Sequence, residues 1–327
     1  MSSNNSKTKI FVTRKIPQPG LDMLKEHYEV IVNPHNRVLS KDELLDGVRT
    51  ADGLLCLLTD DITAEVMDIN PNLKVISNYA VGYNNIDVEA ATKRGIQVTN
   101  TPGVLTDTTA DLAWALIMAV GRRVVEGDVF TREGRFEGWD PMLLLGTDIT
   151  GKTLGIIGMG RIGQAVARRA MGFDMRILYH DMAPVPVAEE EYQAEFVALD
   201  ELLRQSDFVT IHAPLTDETR HMIGRRELSV MKKMAYLVNT ARGPLVDEEA
   251  LVEALRDGII AGAGLDVYEN EPRLASGLAE LPNTVILPHL GSATLETRTK
   301  MATMAAANLV AALEGKRPPH IVNPEVL

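Results

Sequence analysis

The sequence predicts an α/β protein built from two doubly wound parallel sheets, and three observations lead there. Short apolar runs alternate with amphipathic segments along most of the chain, which implies strands joined by helical crossovers in sheets covered on both faces. A glycine-rich turn between an apolar run and a helical pattern begins near Thr153. The chain has 327 residues, more than one typical core needs, so two domains are expected.

Residues 2–8 are polar and read as a tail without fixed structure. Segments 10–13, 30–32, 54–58, 74–77 and 96–98 are apolar and short enough for strands. Segments 19–26, 41–48, 64–70 and 88–93 between them carry helical spacing. The loop 78–87 follows the fourth strand at its carboxyl end, where open α/β sheets bind ligands. On spacing alone, Gly82 in that loop fits a ligand contact and a simple turn equally well. The two blocks join near Pro102. A helix over 106–123 follows, almost wholly apolar across 112–120, so it is buried or packs on another subunit. Arg122 and Arg123 near its end suit the negative pole of the helix dipole. Residues 124–150 break the alternation and read as an irregular arm. Its Trp139, Pro141 and the run 142–145 either anchor an interface or cover a core.

The stretch 153–181, TLGIIGMGRIGQAVARRAMGFDMRILYHD, organises the second block. A strand at 154–157 runs into Gly158-x-Gly160-x-x-Gly163, and Ile162, Val166 and Ala170 then repeat every fourth residue, as one helical face would. Gly158 permits the tight turn, Gly160 lets the backbone approach a pyrophosphate, and Gly163 lets the helix pack close to the strand. The phosphates belong at the helix N-terminus, against free N–H groups and the positive dipole end. A second strand, 175–180, ends at Asp181, placed to bind the adenosine ribose hydroxyls. A lone glycine triplet also occurs in ordinary loops; strand, helix, second strand and terminal acid together make this a Rossmann-like, dinucleotide-binding unit. Strands at 208–212, 235–239, 261–266 and 284–287 extend its sheet, and a helix at 295–313, closed by Gly315 and Pro318, comes last.

Composition narrows the function classes. Lys and Arg total 33 against 45 Asp and Glu, for a net charge of -12, which opposes binding to nucleic acid or to anionic lipid. The single cysteine, Cys56, excludes an intrachain disulfide and a cysteine-built metal site, and its apolar surroundings suit a buried small hydrophobe better than a nucleophile. The polar start MSSNNSKTK lacks the apolar core of a signal peptide, and no apolar run is long enough to span a bilayer. A cytoplasmic protein with no membrane partner is expected.

Three strand ends carry candidate chemistry. Asn239-Thr-Ala-Arg242-Gly-Pro ends one strand with a fixed cation, Asp266 to Glu271 ends the next with several acids, and Leu287-Pro-His289 ends the last with a histidine. An Arg holds a carboxylate in a bidentate fork, a His transfers a proton near neutral pH, and a nearby carboxylate raises the His pKa and fixes its ring. Hydride transfer to a 2-keto acid needs those three roles and no metal. Taken singly, Arg242 also fits a surface ion pair, Glu271 a solvated acid and His289 a strand-end cap.

The motifs GMGRIG, NTARGPLVDE, GLDVYENEP and LPHLGSAT stand here in the order found in the D-isomer-specific 2-hydroxyacid dehydrogenases, and the chain resembles that family over essentially its whole length. Within it, NYAVGYNNIDVEAATKRGI and VTNTPGVLTDTTADLAWAL most resemble the glyoxylate and hydroxypyruvate reductase branch. The resemblance implies a substrate domain, 1–100 plus 293–327, and an NAD-binding domain, 101–292, with a cleft between them. It implies His289 as proton donor, Glu271 as its partner and Arg242 as binder of the substrate's carboxylate and carbonyl. Backbone N–H groups of Val81 and Gly82 would hold the carboxylate's other side. Thr106, Gly158, Met159, Gly160, Arg161, Ile162, Gly163, Asp181, Thr240, Ala241, Asp266, His289 and Gly291 match cofactor positions. It further implies a homodimer in which Trp139 reaches the partner's active site. Where NADP-using members carry a basic pair, this chain has Asp181-Met182, so NADH is expected over NADPH. A phosphite-oxidising branch carries Lys where this chain has Val81, which weighs against that activity. A non-enzymatic NAD-sensing corepressor is the remaining alternative, and the intact substrate loop weighs against it.

Overall fold

A computed structural model describes residues 8–327, which form two compact units: 8–105 together with Ser292–Leu327, and Thr106–Gly291. The expectation for residues 2–8 lies outside the described residues, apart from Thr8, whose carbonyl accepts the Glu29 N–H at 3.0 Å.

In the first unit, strands β1 (Lys9–Val12), β2 (Glu29–Val32), β3 (Gly53–Cys56), β4 (Val75–Asn78) and β5 (Gln97–Thr99) pair in parallel in the order β2-β1-β3-β4-β5. The pleat sorts their side chains by period two. Phe11, Leu54, Cys56, Ile76 and Val98 meet helices α2 (Lys41–Val48), α3 (Ala64–Asp68) and α4 (Val88–Lys93) on one face. Ile10, Val12, Leu55 and Val75 meet α1 (Gln18–Lys25) and the C-terminal helix Leu295–Leu313 on the other. The last helix thus completes a sheet whose strands lie some 200 residues earlier, for a physical reason. Gly20 has no Cβ, and one there would lie 2.7 Å from the Ala302 carbonyl oxygen, so α1 and the C-terminal helix touch backbone to backbone. Buried Asn323 fastens the tail to β5, accepting the Val98 N–H at 2.8 Å and donating to the Ile96 carbonyl at 2.9 Å.

The second unit has a sheet of β6 (Thr153–Ile157), β7 (Arg176–His180), β8 (Glu195–Phe196), β9 (Phe208–Ile211), β10 (Tyr236–Asn239), β11 (Gly262–Leu265) and β12 (Thr284–Ile286). All pairs are parallel, in the order β12-β11-β10-β9-β6-β7-β8. Strand order reverses beside β6, which is the place where doubly wound sheets bind a dinucleotide. Helices α5 (Thr106–Gly121) and α7 (Arg161–Ala170) cover one face with Trp114, Leu116, Ile117 and Val166. Helices α9 (Leu199–Gln205), α10 (Arg225–Val230) and α11 (Glu248–Arg256) cover the other with Leu202, Leu228 and Leu251. The short α8 (Pro186–Tyr192) precedes β8.

Residues 124–150 correct the expected irregular arm. They begin as a helix, α6 (Val124–Arg132), and become irregular only afterwards. This helix buries no residue and is held on its surface by Arg123–Glu126 and Arg132–Asp128 pairs, so no apolar stripe announced it. Beyond it Trp139 is 85% exposed, and Met142 and Leu145 are exposed as well. Leu143 and Leu144 are half-buried, Leu144 reaching toward Gly127. The preceding helix α5 stops at Gly121, and Arg123 turns the chain in a left-handed conformation at φ 53°. Among the described residues no helix is long and apolar enough to cross a membrane.

Candidate active site

The glycine turn after β6 is built by close approach. Gly158 has φ +91°, and a Cβ there would lie 2.7 Å from the backbone between His212 and Ala213. A Cβ on Gly163 would lie 2.1 Å from the Gly158 carbonyl oxygen, so only glycine lets α7 start this near the strand. Gly160 differs, because a Cβ there would meet nothing within 4 Å. The space beside Gly160 is open, at the end of α7 where first-turn N–H groups and the positive dipole end lie. Asp181, just past β7, closes the turn: one carboxylate oxygen accepts the Met159 N–H at 2.7 Å and the other accepts the Met182 N–H at 2.7 Å. Met182 itself is fully exposed.

Beneath the turn lies His212, just past β9. Its N–H donates to Ile157 and its Nε2 pairs with the Thr210 hydroxyl at 2.9 Å, while Nδ1 finds no hydrogen-bond partner among the described residues. Burial pulls this imidazole down to about 3, so it is neutral at physiological pH. The buried hydroxyl of Thr240 is unpartnered in the same way. Thr240 is one of the cofactor positions that the family resemblance implies, whereas the only signal for His212 in the sequence is its place at a strand end.

The three expected strand ends do come together along the carboxyl edge of β10, β11 and β12. Gly243 makes this possible: a Cβ there would sit 1.9 Å from the backbone of Tyr268, so the loop after β10 presses directly onto the loop after β11. Arg242 is half-buried, donates from Nη1 to the Ala241 carbonyl at 2.7 Å, and lies close enough to Glu271 for each charge to favour the other. Burial pulls its guanidinium below the usual range, and Glu271 opposes that pull.

His289 Nδ1 lies 3.0 Å from Glu271 Oε2, with the two side chains 27% and 30% exposed. The other Glu271 oxygen accepts the Tyr268 N–H at 3.1 Å. Burial works to raise the Glu271 carboxyl, but His289, the Tyr268 N–H and Arg242 outweigh it and hold the carboxyl below its ordinary range. His289 adopts φ 56°, rare for a side chain other than glycine. Asp266 enforces it. Fully buried, it accepts the Leu290 N–H at 2.6 Å and the Gly291 N–H at 2.8 Å, and its carbonyl accepts the His289 N–H at 3.0 Å. Burial raises the Asp266 carboxyl, with those N–H groups and His289 opposing it.

In the other unit, Val81 and Gly82 lie half-buried just after β4. The Val81 carbonyl accepts from Asn100 Nδ2 at 2.7 Å and the Gly82 carbonyl from Asn78 Nδ2 at 2.9 Å.

The sequence model of the D-isomer specific 2-hydroxyacid dehydrogenase, NAD binding domain, matches residues 114–291, more than half of the chain. This chain belongs to that family. The family's enzymes use a nicotinamide cofactor, and the residues here fit one: an open glycine cradle at a helix start, an acid past the second strand, and unpartnered polar atoms at Thr240 and His212. A curated relative, the glyoxylate reductase of Thermococcus gammatolerans, is 55% identical over 325 residues, covering 98% of this chain and 97% of that protein. A solved structure of a Thermus thermophilus protein is 51% identical with a TM-score of 0.91, covering 96% of this dehydrogenase and all of that chain. An NADPH-dependent glyoxylate/hydroxypyruvate reductase from Sinorhizobium meliloti, solved with NADP and malonate, is 34% identical with a TM-score of 0.86, covering 98% of each chain.

The glycines separate fold from function in a measurable way. Gly163→Ala should lower Tm, because its Cβ meets backbone. Gly160→Ala should leave Tm unchanged yet weaken binding of the nicotinamide cofactor severalfold, because its Cβ meets no protein atom and enters the open space beside the helix start. Titration of NADH fluorescence together with a thermal melt checks both, and equal effects on binding and Tm at the two sites would refute the distinction.

Proposed function

We propose that this dehydrogenase reduces glyoxylate, and the similar 2-keto acid hydroxypyruvate, to the 2-hydroxy acid with NADH. The observation that carries the reading is the His289–Glu271 pair at 3.0 Å with Arg242 beside it, on a chain 55% identical to a named glyoxylate reductase. In this reading the Thr106–Gly291 unit binds the cofactor and the other unit supplies the substrate loop. NADH held there supplies the hydride. As the carbonyl becomes an alcohol, its oxygen gains negative charge and must take a proton. Protonated His289 donates it, with Glu271 orienting the ring and favouring its charged form. Arg242 binds the substrate's carboxylate on one side and polarises the adjoining carbonyl, and the N–H groups of Val81 and Gly82 take the carboxylate's other side. No metal is required for any of these roles.

Asp181 supports NADH over NADPH. A 2′-phosphate would face its carboxylate with Met182, not a cation, next to it, although the Sinorhizobium relative at 34% identity is NADPH-dependent. NADH should therefore give much the higher kcat/KM, and Asp181→Ala should narrow the gap; equal kcat/KM for both cofactors in the unmutated enzyme would refute the preference.

The exposed Trp139, Met142 and Leu145 support a homodimer, as apolar anchors that a second copy would cover. In our reading Trp139 reaches the neighbour's substrate site. Sedimentation should show a dimer, and Trp139→Ala should raise KM for glyoxylate; a fully active monomer would rule this out.

His289→Ala should lower kcat by a general-acid factor of about 10²–10⁴ and leave NADH affinity nearly intact. Reduction needs the protonated ring, and the Glu271 charge favours that form, so Glu271→Gln should move the alkaline limb of the reduction profile to lower pH. An unchanged pH profile for Glu271→Gln would remove the carboxylate from the proposed acid pair.

A further inference from the structure

Three consecutive carbonyls of the loop after β4 are each held by a fixed donor. The Thr101 N–H takes Ala80 at 2.9 Å, Asn100 Nδ2 takes Val81 at 2.7 Å, and Asn78 Nδ2 takes Gly82 at 2.9 Å. A peptide unit is planar and trans, so fixing a carbonyl fixes the direction of the N–H on the next residue, which points the opposite way. The bond to Ala80 therefore aims the Val81 N–H, and the bond to Val81 aims the Gly82 N–H. Residues 100 and 101 set both.

Asn100 is well anchored for this task. Strand β5 ends at Thr99, so Asn100 has left the ladder. Its N–H donates to the His320 carbonyl at 3.2 Å, and its carbonyl accepts from Asn308 Nδ2 at 3.0 Å. Asn308 is fully buried on the C-terminal helix, and its other amide atom accepts the His320 N–H at 3.2 Å. Both ends of the Asn100 backbone are thus tied down, leaving its side-chain amide to reach Val81.

We infer that Asn100 is a positioning residue for the substrate's carboxylate, acting through the Val81–Gly82 peptide; this rests on the keto-acid reading above. Donors aimed in advance cost no reorganisation when the anion arrives. The carboxylate keeps its charge while the carbonyl is reduced, so the interaction is equally strong before and during the reaction. Such uniform binding acts on KM and leaves kcat alone.

The test compares Asn100→Ala, Asn100→Asp and Arg242→Lys with the unmutated enzyme, using glyoxylate as substrate and oxamate as a carboxylate-bearing inhibitor. Aspartate keeps the shape of asparagine but loses the amide donor, and it serves if the alanine variant fails to fold. Both Asn100 variants should raise KM for glyoxylate and Ki for oxamate by roughly tenfold, with kcat, NADH affinity and Tm little changed. Three results overturn the inference. Asn100→Asp could behave as the unmutated enzyme, showing that the hydrogen bond does not matter. Either variant could lose kcat and Tm with KM unchanged, showing a merely structural role. Or KM could stay fixed in both Asn100 variants while Arg242→Lys raises it, which leaves the keto-acid site standing without Asn100. If Arg242→Lys also leaves KM and Ki unmoved, the reading of the carboxylate site falls together with the inference.

Discussion

Asp266 takes the Leu290 and Gly291 N–H groups on its two oxygens, and its own carbonyl takes the N–H of His289. Placing an aspartate with no solvent exposure at the end of β11 is costly, and the upward push on its carboxyl records that cost. The Leu290 and Gly291 N–H groups oppose that push without cancelling it, and together with the bond to the Asp266 carbonyl they hold His289 in a left-handed conformation that otherwise costs roughly 1–2 kcal/mol. What results is a His289 whose backbone has one conformation, with Nδ1 directed at Glu271. The geometry of the His289–Glu271 pair thus depends on a residue outside the pair.

The second constraint is the absence of side chains where loops cross. Gly243 lets the loop bearing Arg242 lie against Tyr268, whose N–H in turn holds Glu271. A parallel sheet puts all its strand ends on one edge, but an edge alone spreads residues apart at the strand spacing of about 4.8 Å. Backbone contact at Gly243 removes part of that separation. Glu248 adds to it from α11, accepting the N–H groups of Glu269 at 2.9 Å and Ala275 at 3.1 Å, on either side of Glu271.

Much of this was legible in the sequence because each legible part answers a local requirement. The glycines at 158, 160 and 163 announce a strand, turn and helix within a few residues, and the strand-end placement of Arg242, Glu271 and His289 follows from alternation, while the roles expected of them come from the family resemblance. Helix α6 was not legible: it buries nothing and is held by surface ion pairs, so hydrophobic periodicity was silent. The edge strand β8, two exposed residues long, was silent for the same reason. Asn100, Asn308 and His212 were missed for another. Asn100 and Asn308 work through hydrogen bonds to residues distant in sequence, and His212 through its burial, and in a linear reading such residues look like ordinary loop or helix polars.

Cys56 lies within β3 with no solvent exposure, its Sγ 3.5 Å from the Asn78 side-chain oxygen, and burial pushes its thiol well above the ordinary range. It is also the only cysteine in the sequence. The native protein consequently presents no reactive sulfhydryl to maleimides or to mild oxidants. A cysteine introduced at a fully exposed position such as Met182 would be the single point of attachment for a fluorophore or spin label, without any background thiol having to be removed first.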